Sequence, residues 1–279
     1  MKKYRIIFIG CGNMGEAILK GIISSEYIES KDIAFYELDK NRIKYIEKTY
    51  AIESVKNIGE GVRFSEYVLL AVKPQNIKQV LGEIGKYFDK DTNSLISIAA
   101  GVSTDFIEKS LDCECSVMRV MPNAPALFNR GMATISSGQY SSEKDQQFAA
   151  DLMDQVGECI IIDEELQNIS TAINGSGPAY FFLFCKYIIE AAVKNGIPED
   201  DARKLVTETM IGSGIMISRS SLEMDKLISR VASPGGTTEK ALQVFSDESL
   251  EDIISRAISS AVKRSVELEE VLSDRLLSK

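Results

Sequence analysis

The residues that decide the fold lie near the start of the chain, in the stretch Ile6-Ile7-Phe8-Ile9-Gly10-Cys11-Gly12-Asn13-Met14-Gly15. Four consecutive apolar residues predict a strand that is buried on both faces. The hexamer that follows has the spacing G-x-G-x-x-G, and residues 16–23 have the pattern of a helix. A strand, a tight glycine turn and a helix together predict a site for the pyrophosphate of a dinucleotide. The alternative is a tight turn that binds no ligand.

The glycines of this hexamer have different expected tasks. Gly10 permits the tight turn, Gly12 lets a pyrophosphate approach the backbone, and Gly15 lets the helix pack closely on the strand. Asn13 and Met14 open the helix, whose N-terminus would face the anion. All five residues are therefore predicted to bind the cofactor.

The first half of the chain continues to alternate strands and helices. Residues 77–88 have the i, i+3, i+4 apolar spacing of an amphipathic helix. Five further apolar runs predict strands: Ile33–Tyr36, Tyr67–Val72, Leu95–Ile98, Ser116–Val120 and Met132–Ile135. This alternation predicts an α/β fold whose first domain is a doubly wound parallel sheet of the Rossmann type.

After about residue 165 the pattern becomes helical. Pro178 fits the first turn of a helix through Tyr180–Val193, which Asn195-Gly196 ends before Pro198 opens the next. An apolar stripe follows from Leu250 to Val262. We therefore expect a dinucleotide-binding domain over 1–165 and an all-helical domain over 166–279.

The composition excludes several classes of function. The 279 residues carry a formal net charge of −9, so nucleic acid is an unexpected partner. No apolar run reaches the length of a membrane span, and the run from Ile6 stops at Gly10, too early for a signal peptide. We expect a cytoplasmic protein that does not enter a membrane.

Histidine is absent, which removes serine–histidine and cysteine–histidine catalysis and histidine metal sites. Five irregularly spaced cysteines do not indicate a disulfide framework. Cys113-Glu114-Cys115 is the one metal-like spacing, but no second cysteine pair accompanies it. We expect no metal site.

Glu37 lies 22 residues after Gly15, at the end of the second predicted strand, where a carboxylate reads the adenosine ribose. A carboxylate there accepts hydrogen bonds from a free 2′-hydroxyl and repels a 2′-phosphate. Lys40 and Arg42 favour the opposite choice, since either could pair with a phosphate. The cofactor is therefore NADPH or NADH, with NADH at least competitive if Glu37 is not simply a solvated acid.

Three more loops follow predicted strands, at the sheet edge where doubly wound folds bind ligands. Lys73 would meet cofactor phosphate or ribose, unless it is a solvated loop lysine. Small residues after the fourth strand leave room for a nicotinamide ring. Asn123 would bond the carboxamide or the substrate, although loop asparagines usually serve turns. The predicted cofactor residues in these loops are Ala71, Val72, Lys73, Pro74, Ala99, Gly101, Pro122 and Asn123.

The segment Ser233-Pro234-Gly235-Gly236-Thr237-Thr238 precedes a predicted helix through Phe245. Its free backbone N–H groups and the helix dipole suit a small carboxylate, and its hydroxyls could orient a neighbouring nitrogen. The alternative is a plain capping loop.

Five segments in this order resemble the pyrroline-5-carboxylate reductase family over nearly the whole chain. They are Ala71–Gln75, Ile98–Val102, Arg119–Pro125, Asn174–Tyr180 and Ser233–Thr238. The resemblance implies reduction of 1-pyrroline-5-carboxylate to L-proline by hydride from NAD(P)H, in the last step of proline biosynthesis. A protonated C=N bond is already electrophilic, so a chain without histidine suits this chemistry.

The resemblance also assigns roles within the Ser-Pro-Gly-Gly-Thr-Thr segment. The hydroxyl of Thr238 would lie against the ring nitrogen of the substrate, as the catalytic group. The backbone of Ser233, Gly235 and Gly236 would hold the substrate carboxylate, with Thr237 as a further substrate-binding residue.

Assembly is a further expectation. Tyr180–Cys185 is apolar nearly all round, and Met210–Ile217 is apolar with small residues, whereas a surface helix normally has a polar face. The bland interpretation is a helix buried within its own domain. The resemblance implies a homodimer through these helices, or a larger ring.

Two other functions stay open. A 3-hydroxyacid dehydrogenase has a similar two-domain plan, but it relies on a lysine with an asparagine four residues later. Here Lys186 is followed at that spacing by Glu190. A nucleotide-sensing protein without catalysis is the alternative outside the enzymes.

Overall fold

The computed structural model describes residues 3–277, with side chains through Val271. The chain divides into two compact units. The first, which we call the sheet unit, comprises Met1–Ser176 and Ala261–Lys279; the second, the helical unit, comprises Gly177–Ser260. The assignment of cofactor and substrate functions to 1–165 and 166–279 stays a prediction.

The sheet unit contains an eight-stranded sheet in the order β3-β2-β1-β4-β5-β6-β7-β8. The strands are β1 Tyr4–Ile9, β2 Ile33–Tyr36, β3 Glu53–Ser54, β4 Ser65–Leu70, β5 Ser94–Ser97, β6 Ser116–Met121, β7 Gly131–Ser137 and β8 Gly157–Ile161. Strands β1 to β6 pair in parallel with one another. The chain order reverses between β1 and β4, and the carboxyl ends of the strands beside such a switch point form the usual ligand crevice.

The six predicted strands and the doubly wound class are confirmed, and two details differ. Strand β7 is antiparallel to β6. The nine-residue connection 122–130 explains this, because a parallel crossover needs a dozen residues or more. Strands β3 and β8 carry no clear apolar pattern, since they lie at the two sheet edges and stay partly exposed.

The helices of the sheet unit cover both faces of the sheet. They are α1 Asn13–Ser24, α2 Lys40–Tyr50, α3 Ile58–Phe64, α4 Ile77–Ile84, α5 Thr104–Leu111, α6 Glu143–Asp154 and α7 Gln167–Ser170. Alternate residues of β1 point to opposite faces: Phe8 belongs to the core with Ile18 of α1, and Ile7 to the core with Leu81 of α4. Double burial is the reason why the strand reads as an unbroken apolar run.

The helical unit contains α8 Gly177–Lys194, α9 Glu199–Arg219, α10 Met224–Val231, α11 Thr237–Asp247 and the first part of α12 Leu250–Leu277. The predicted breaks are confirmed: α8 ends before Gly196, which has φ +94°, and Pro198 caps α9. None of the helices among the described residues is long and apolar enough to cross a membrane.

Candidate functional site

The glycine turn between β1 and α1 is tightly packed at Gly10 and Gly15 and open at Gly12. Gly10 has φ +91°, and a Cβ there would come within 2.8 Å of the Ala71 carbonyl oxygen. A Cβ on Gly15 would meet the Gly10 oxygen at 3.0 Å, so α1 packs tightly on the turn. At Gly12, by contrast, a Cβ would meet nothing within 4 Å. Gly12 is also the N-cap of α1 without a side-chain cap, so the open space faces the helix N-terminus and fits a pyrophosphate.

Glu37, at the end of β2, is tied to the glycine turn. Its Oε2 accepts the Cys11 N–H at 3.0 Å, and its Oε1 accepts the Leu38 and Asp39 N–H groups at 2.7 and 3.2 Å. A carboxylate has about four lone-pair sites. Three bonds therefore leave capacity for a ribose hydroxyl, although ribose binding by Glu37 stays a prediction.

Arg42, on the first turn of α2, is held against the same turn. Its Nε donates to the Cys11 carbonyl at 2.7 Å, and its guanidinium pairs with Glu16 of α1. The Tyr50 hydroxyl donates to Glu16 at 2.8 Å. Burial pushes the pKa of Glu16 upward, but hydrogen bonds from Tyr50, Arg42 and Tyr45 outweigh it and lower the pKa. Glu16 is therefore an anion at neutral pH.

The role of Glu16 and Tyr50 is not apparent from the sequence pattern alone. One signal was available: Glu16 places an acid directly after the last glycine of a predicted anion site. An acid there opposes the bound anion, unless a cation such as Arg42 compensates it. Cys11, whose backbone bonds both Glu37 and Arg42, is buried. Burial, and to a smaller extent the charge of Glu37, raises the pKa of its thiol to about 12. That thiol is not a nucleophile at neutral pH.

The other predicted cofactor loops follow β4, β5 and β6, so they lie at the same sheet edge as the glycine turn. The Ala71 N–H donates a hydrogen bond to the Ile9 carbonyl of β1 at 2.9 Å, and the Lys73 side chain is exposed. Ala99 is buried, with its N–H on Ser97 Oγ at 3.3 Å. The cofactor roles of Val72, Pro74, Gly101 and Pro122, like those of Ala71, Lys73 and Ala99, stay predictions.

Asn123, after β6, already has two protein partners. Its Nδ2 donates to Asn174 Oδ1 at 2.8 Å, and its Oδ1 accepts the Met132 N–H at 2.9 Å. Asn174 in turn donates to the carbonyls of Met121 and Met132 at 3.0 and 2.9 Å. Each side-chain amide can still accept a hydrogen bond from a ligand. In the structure, however, the two amides join β6 and β7 to the π-helical turn Thr171–Gly175. No local sequence pattern indicates this role, because the two asparagines are 51 residues apart.

The Ser233–Thr238 segment lies in the helical unit as a turn followed by α11. The Gly236 N–H donates to the Ser233 carbonyl at 2.9 Å, and Gly235 adopts φ +75°. The Gly235 N–H donates to Glu239 Oε2 at 2.9 Å. Gly236 caps α11 without a side-chain bond. Thr237 is exposed and Thr238 is half-buried.

The geometry alone thus supports a dinucleotide-binding edge in the sheet unit and a polar turn at a helix start in the helical unit. Among the described side chains, no group of three or more cysteine and carboxylate residues is placed to hold a metal ion. All five cysteines are free. Lys186, the residue that a hydroxyacid dehydrogenase would use, lies 3.7 Å from Glu190 and is exposed.

Comparison with known proteins extends the similarity to the whole chain. Residues 5–101 match the family model described as NADP oxidoreductase, coenzyme F420-dependent. Residues 164–268 match the model described as pyrroline-5-carboxylate reductase dimerisation. A pyrroline-5-carboxylate reductase of Haemophilus influenzae is 35% identical over 271 residues, which cover 96% of this chain and 99% of the relative.

Solved structures agree. The pyrroline-5-carboxylate reductase of Coxiella burnetii superposes with a TM-score of 0.91 at 30% identity, covering 96% of this chain and 99% of that one. The Plasmodium falciparum pyrroline carboxylate reductase with NADP bound gives 0.84 at 29% identity, covering 96% and 99%. With full-length relatives above 30% identity and the glycine turn in place, this chain belongs to the pyrroline-5-carboxylate reductase family.

Proposed function

We propose that this chain reduces 1-pyrroline-5-carboxylate to L-proline with hydride from NADH or NADPH, as the last step of proline biosynthesis. The observation that carries the proposal is the full-length match to relatives of that name, 35% identical over 96% of the chain. The open, uncapped glycine turn adds support because it fits a dinucleotide. The cofactor, when bound, supplies the hydride; the protein supplies binding and orientation.

The chain needs no strong acid for this reaction. A cyclic imine that arrives protonated is already an electrophile at carbon, and the nitrogen loses its charge as the C–H bond forms. Thr238 is suited to steady that nitrogen, since its hydroxyl can accept a hydrogen bond from N–H before reduction and donate one to the amine afterwards. As the catalytic group, Thr238 acts through hydrogen bonding and position rather than proton transfer.

The substrate carboxylate is proposed to bind at the Ser233–Gly236 turn. The turn leads into the N-terminus of α11, where the first backbone N–H groups and the positive end of the helix dipole attract an anion. The Gly235 N–H would exchange the Glu239 carboxylate for that of the substrate. Thr237 lies at the first helical position and is exposed, so it serves as a secondary contact. A Cβ on Gly235 would meet nothing within 4 Å, so the turn is open at that position.

An assay with both cofactors separates this proposal from its competitors. Purified protein is mixed with NADH or NADPH and 1-pyrroline-5-carboxylate, and absorbance loss at the nicotinamide band is followed while proline is quantified. We expect stoichiometric proline and oxidised cofactor. Cofactor binding without turnover would indicate a sensor. Turnover only with 3-hydroxyacids would indicate a hydroxyacid dehydrogenase.

We also propose that the chain works as a homodimer or a larger multiple in the cytoplasm, with a small-molecule substrate and no nucleic acid or membrane partner. The dimerisation match over residues 164–268 supports the first part. Large apolar side chains exposed on α8 and α9 support it further: Phe181, Phe182, Phe184, Tyr187, Ile211, Ile215 and Met216. Free cysteines fit a reducing compartment, and a net charge of −9 disfavours nucleic acid.

A further inference from the structure

Arg42 occupies the position from which an arginine could read the cofactor. It lies on α2, immediately after the loop that carries Glu37. In this fold a carboxylate after the second strand reads a free 2′-hydroxyl, whereas a nearby arginine accommodates a 2′-phosphate. This chain has both a carboxylate and an arginine there, so the other contacts of these two side chains decide whether NADH or NADPH is favoured.

The contacts of Arg42 turn its guanidinium toward the protein. Its Nε donates to the Cys11 carbonyl at 2.7 Å, and its Nη2 pairs with Glu16. The guanidinium carbon also lies 5.3 Å from the ring centre of Tyr45. The Arg42 and Glu16 side chains are only 25% and 19% exposed. An ion pair this shielded from water is stronger than a surface pair.

Glu16 is itself fixed in place, so it does not follow Arg42 if the arginine turns away. The Tyr50 hydroxyl donates to Glu16 Oε1 at 2.8 Å, on the oxygen that Arg42 does not use. Glu37 meanwhile holds the N–H of Cys11. The two acids thus fix opposite sides of the Cys11 peptide, one directly and the other through Arg42.

We propose that Glu16 is a specificity-determining residue. By holding Arg42 against the glycine turn, it withholds the guanidinium from a 2′-phosphate and so favours NADH over NADPH. The inference rests on the proposed function, because it assumes that a dinucleotide binds at this turn. It concerns only the choice between the two cofactors, and Glu16 touches neither the substrate nor the nicotinamide in this account.

The test uses ADP-ribose and 2′-phospho-ADP-ribose, which carry the distinguishing end of each cofactor and allow no turnover. Their dissociation constants are measured by calorimetry on the full chain. In Glu16→Gln the shape is kept and the charge is lost, so Arg42 loses its ion pair and keeps only the Cys11 carbonyl and the Tyr45 ring as partners. We expect the ratio of constants to move about tenfold toward the phosphorylated ligand, the effect of one new bond between charged groups. Glu16→Ala, favoured within a helix, is a second variant with the same expected direction.

Two controls separate a released arginine from other causes. Glu47→Gln removes one charge from an exposed acid of α2 and should leave the ratio unchanged. In Glu16→Gln with Arg42→Met, the gain should disappear. An equal shift in Glu47→Gln, an unchanged ratio in folded Glu16 variants, or equal weakening of both ligands would each overturn the inference. Failure of wild type to bind either ligand would instead overturn the proposed dinucleotide function, and the inference with it.

Discussion

Gly12 is the residue at which ligand binding and folding are most cleanly separated. A Cβ there meets nothing within 4 Å, and its φ of −66° and ψ of −172° suit any residue. Gly12→Val should therefore fold normally, while its side chain fills the space of the pyrophosphate. We expect an unchanged melting temperature and no saturable binding of NADH or NADPH by fluorescence.

Gly15→Val is the contrasting variant, because its Cβ would approach the Gly10 oxygen to 3.0 Å and the Ala71 Cβ to 3.2 Å. That substitution should lower the melting temperature as well. Normal cofactor affinity in a folded Gly12→Val protein would remove residues Gly10 to Gly15 from the binding site.

Glu37 gives a second prediction at this scale. We expect wild type to use NADH at least competitively with NADPH, because a carboxylate near a 2′-phosphate costs on the order of 1 kcal/mol even when solvated. Glu37→Gln removes the charge and keeps one oxygen for the Leu38 and Asp39 N–H groups, while the Cys11 N–H loses its acceptor because an amide nitrogen does not accept. The ratio of kcat/KM for NADPH over NADH should rise about fivefold.

Glu37→Ser should shift the same ratio in the same direction, with lower affinity for both cofactors because the turn loses its three anchoring bonds. A wild type that ignores NADH, together with an unchanged ratio in both variants, would make Glu37 a purely structural acid.

Thr238 carries the prediction about chemistry. Valine matches threonine in shape but lacks the hydroxyl, and Thr238 is half-buried, so Thr238→Val should keep the fold and the cofactor affinity. Losing a hydrogen bond to a charged group costs about 1.5–3 kcal/mol. We expect kcat/KM for the imine to fall roughly tenfold to hundredfold.

The adjacent Thr237→Val is the matched control, since that side chain is exposed and should matter less. A large loss in Thr237→Val with normal turnover in Thr238→Val would mean that the roles are exchanged. Normal turnover in both would make the segment a structural cap.

At the scale of elements, Asn174 joins three of them. Its Nδ2 donates to carbonyls at the end of β6 and the start of β7, and its Oδ1 accepts from Asn123. Asn174→Ala leaves these partly buried partners without it, which costs about 1–3 kcal/mol. We expect a melting temperature lower by roughly 2–4 °C for each kcal/mol lost.

Asn195→Ala is the control for this prediction. Asn195 also donates to a carbonyl, that of Ala191, but it is exposed, so its loss should change the free energy of unfolding by less than about 0.5 kcal/mol. Equal melting temperatures for both variants would show that the Asn174 network is not a structural junction.

The elements also show what sequence patterns can and cannot predict. Strands buried on both faces, such as β1 and β4, are predictable because they form apolar runs. The end of α8 and the start of α9 are predictable because Gly196 and Pro198 stand there. Edge strands β3 and β8 do not, because half their side chains face water. The glycine turn was predictable because its G-x-G-x-x-G spacing stands between an apolar strand and a helical pattern. The links from Arg42 to Glu16 and from Asn123 to Asn174 join residues 26 and 51 positions apart, a separation that no local pattern encodes.

At the scale of the whole molecule, the helical unit exposes more apolar surface than a solitary unit normally does. Phe182 is 66% exposed, and its neighbours on α8 are exposed as well. Contiguous exposed apolar surface indicates an interface. This surface lies within residues 164–268, which match the model described as pyrroline-5-carboxylate reductase dimerisation.

We therefore expect a homodimer or a larger multiple at micromolar concentration in sedimentation velocity. Phe182→Glu places a charge on the proposed interface and should shift the distribution toward monomer, because burying an unpaired carboxylate is costly. Tyr140→Glu, at a 41% exposed aromatic of the sheet unit, is the matched control and should sediment like wild type. If Phe182→Glu aggregates, dilution of wild type still tests the idea, since a reversible dimer dissociates with a measurable constant. A wild-type monomer at micromolar concentration would contradict assembly, and dissociation of Tyr140→Glu alone would move the interface from the helices to the sheet unit.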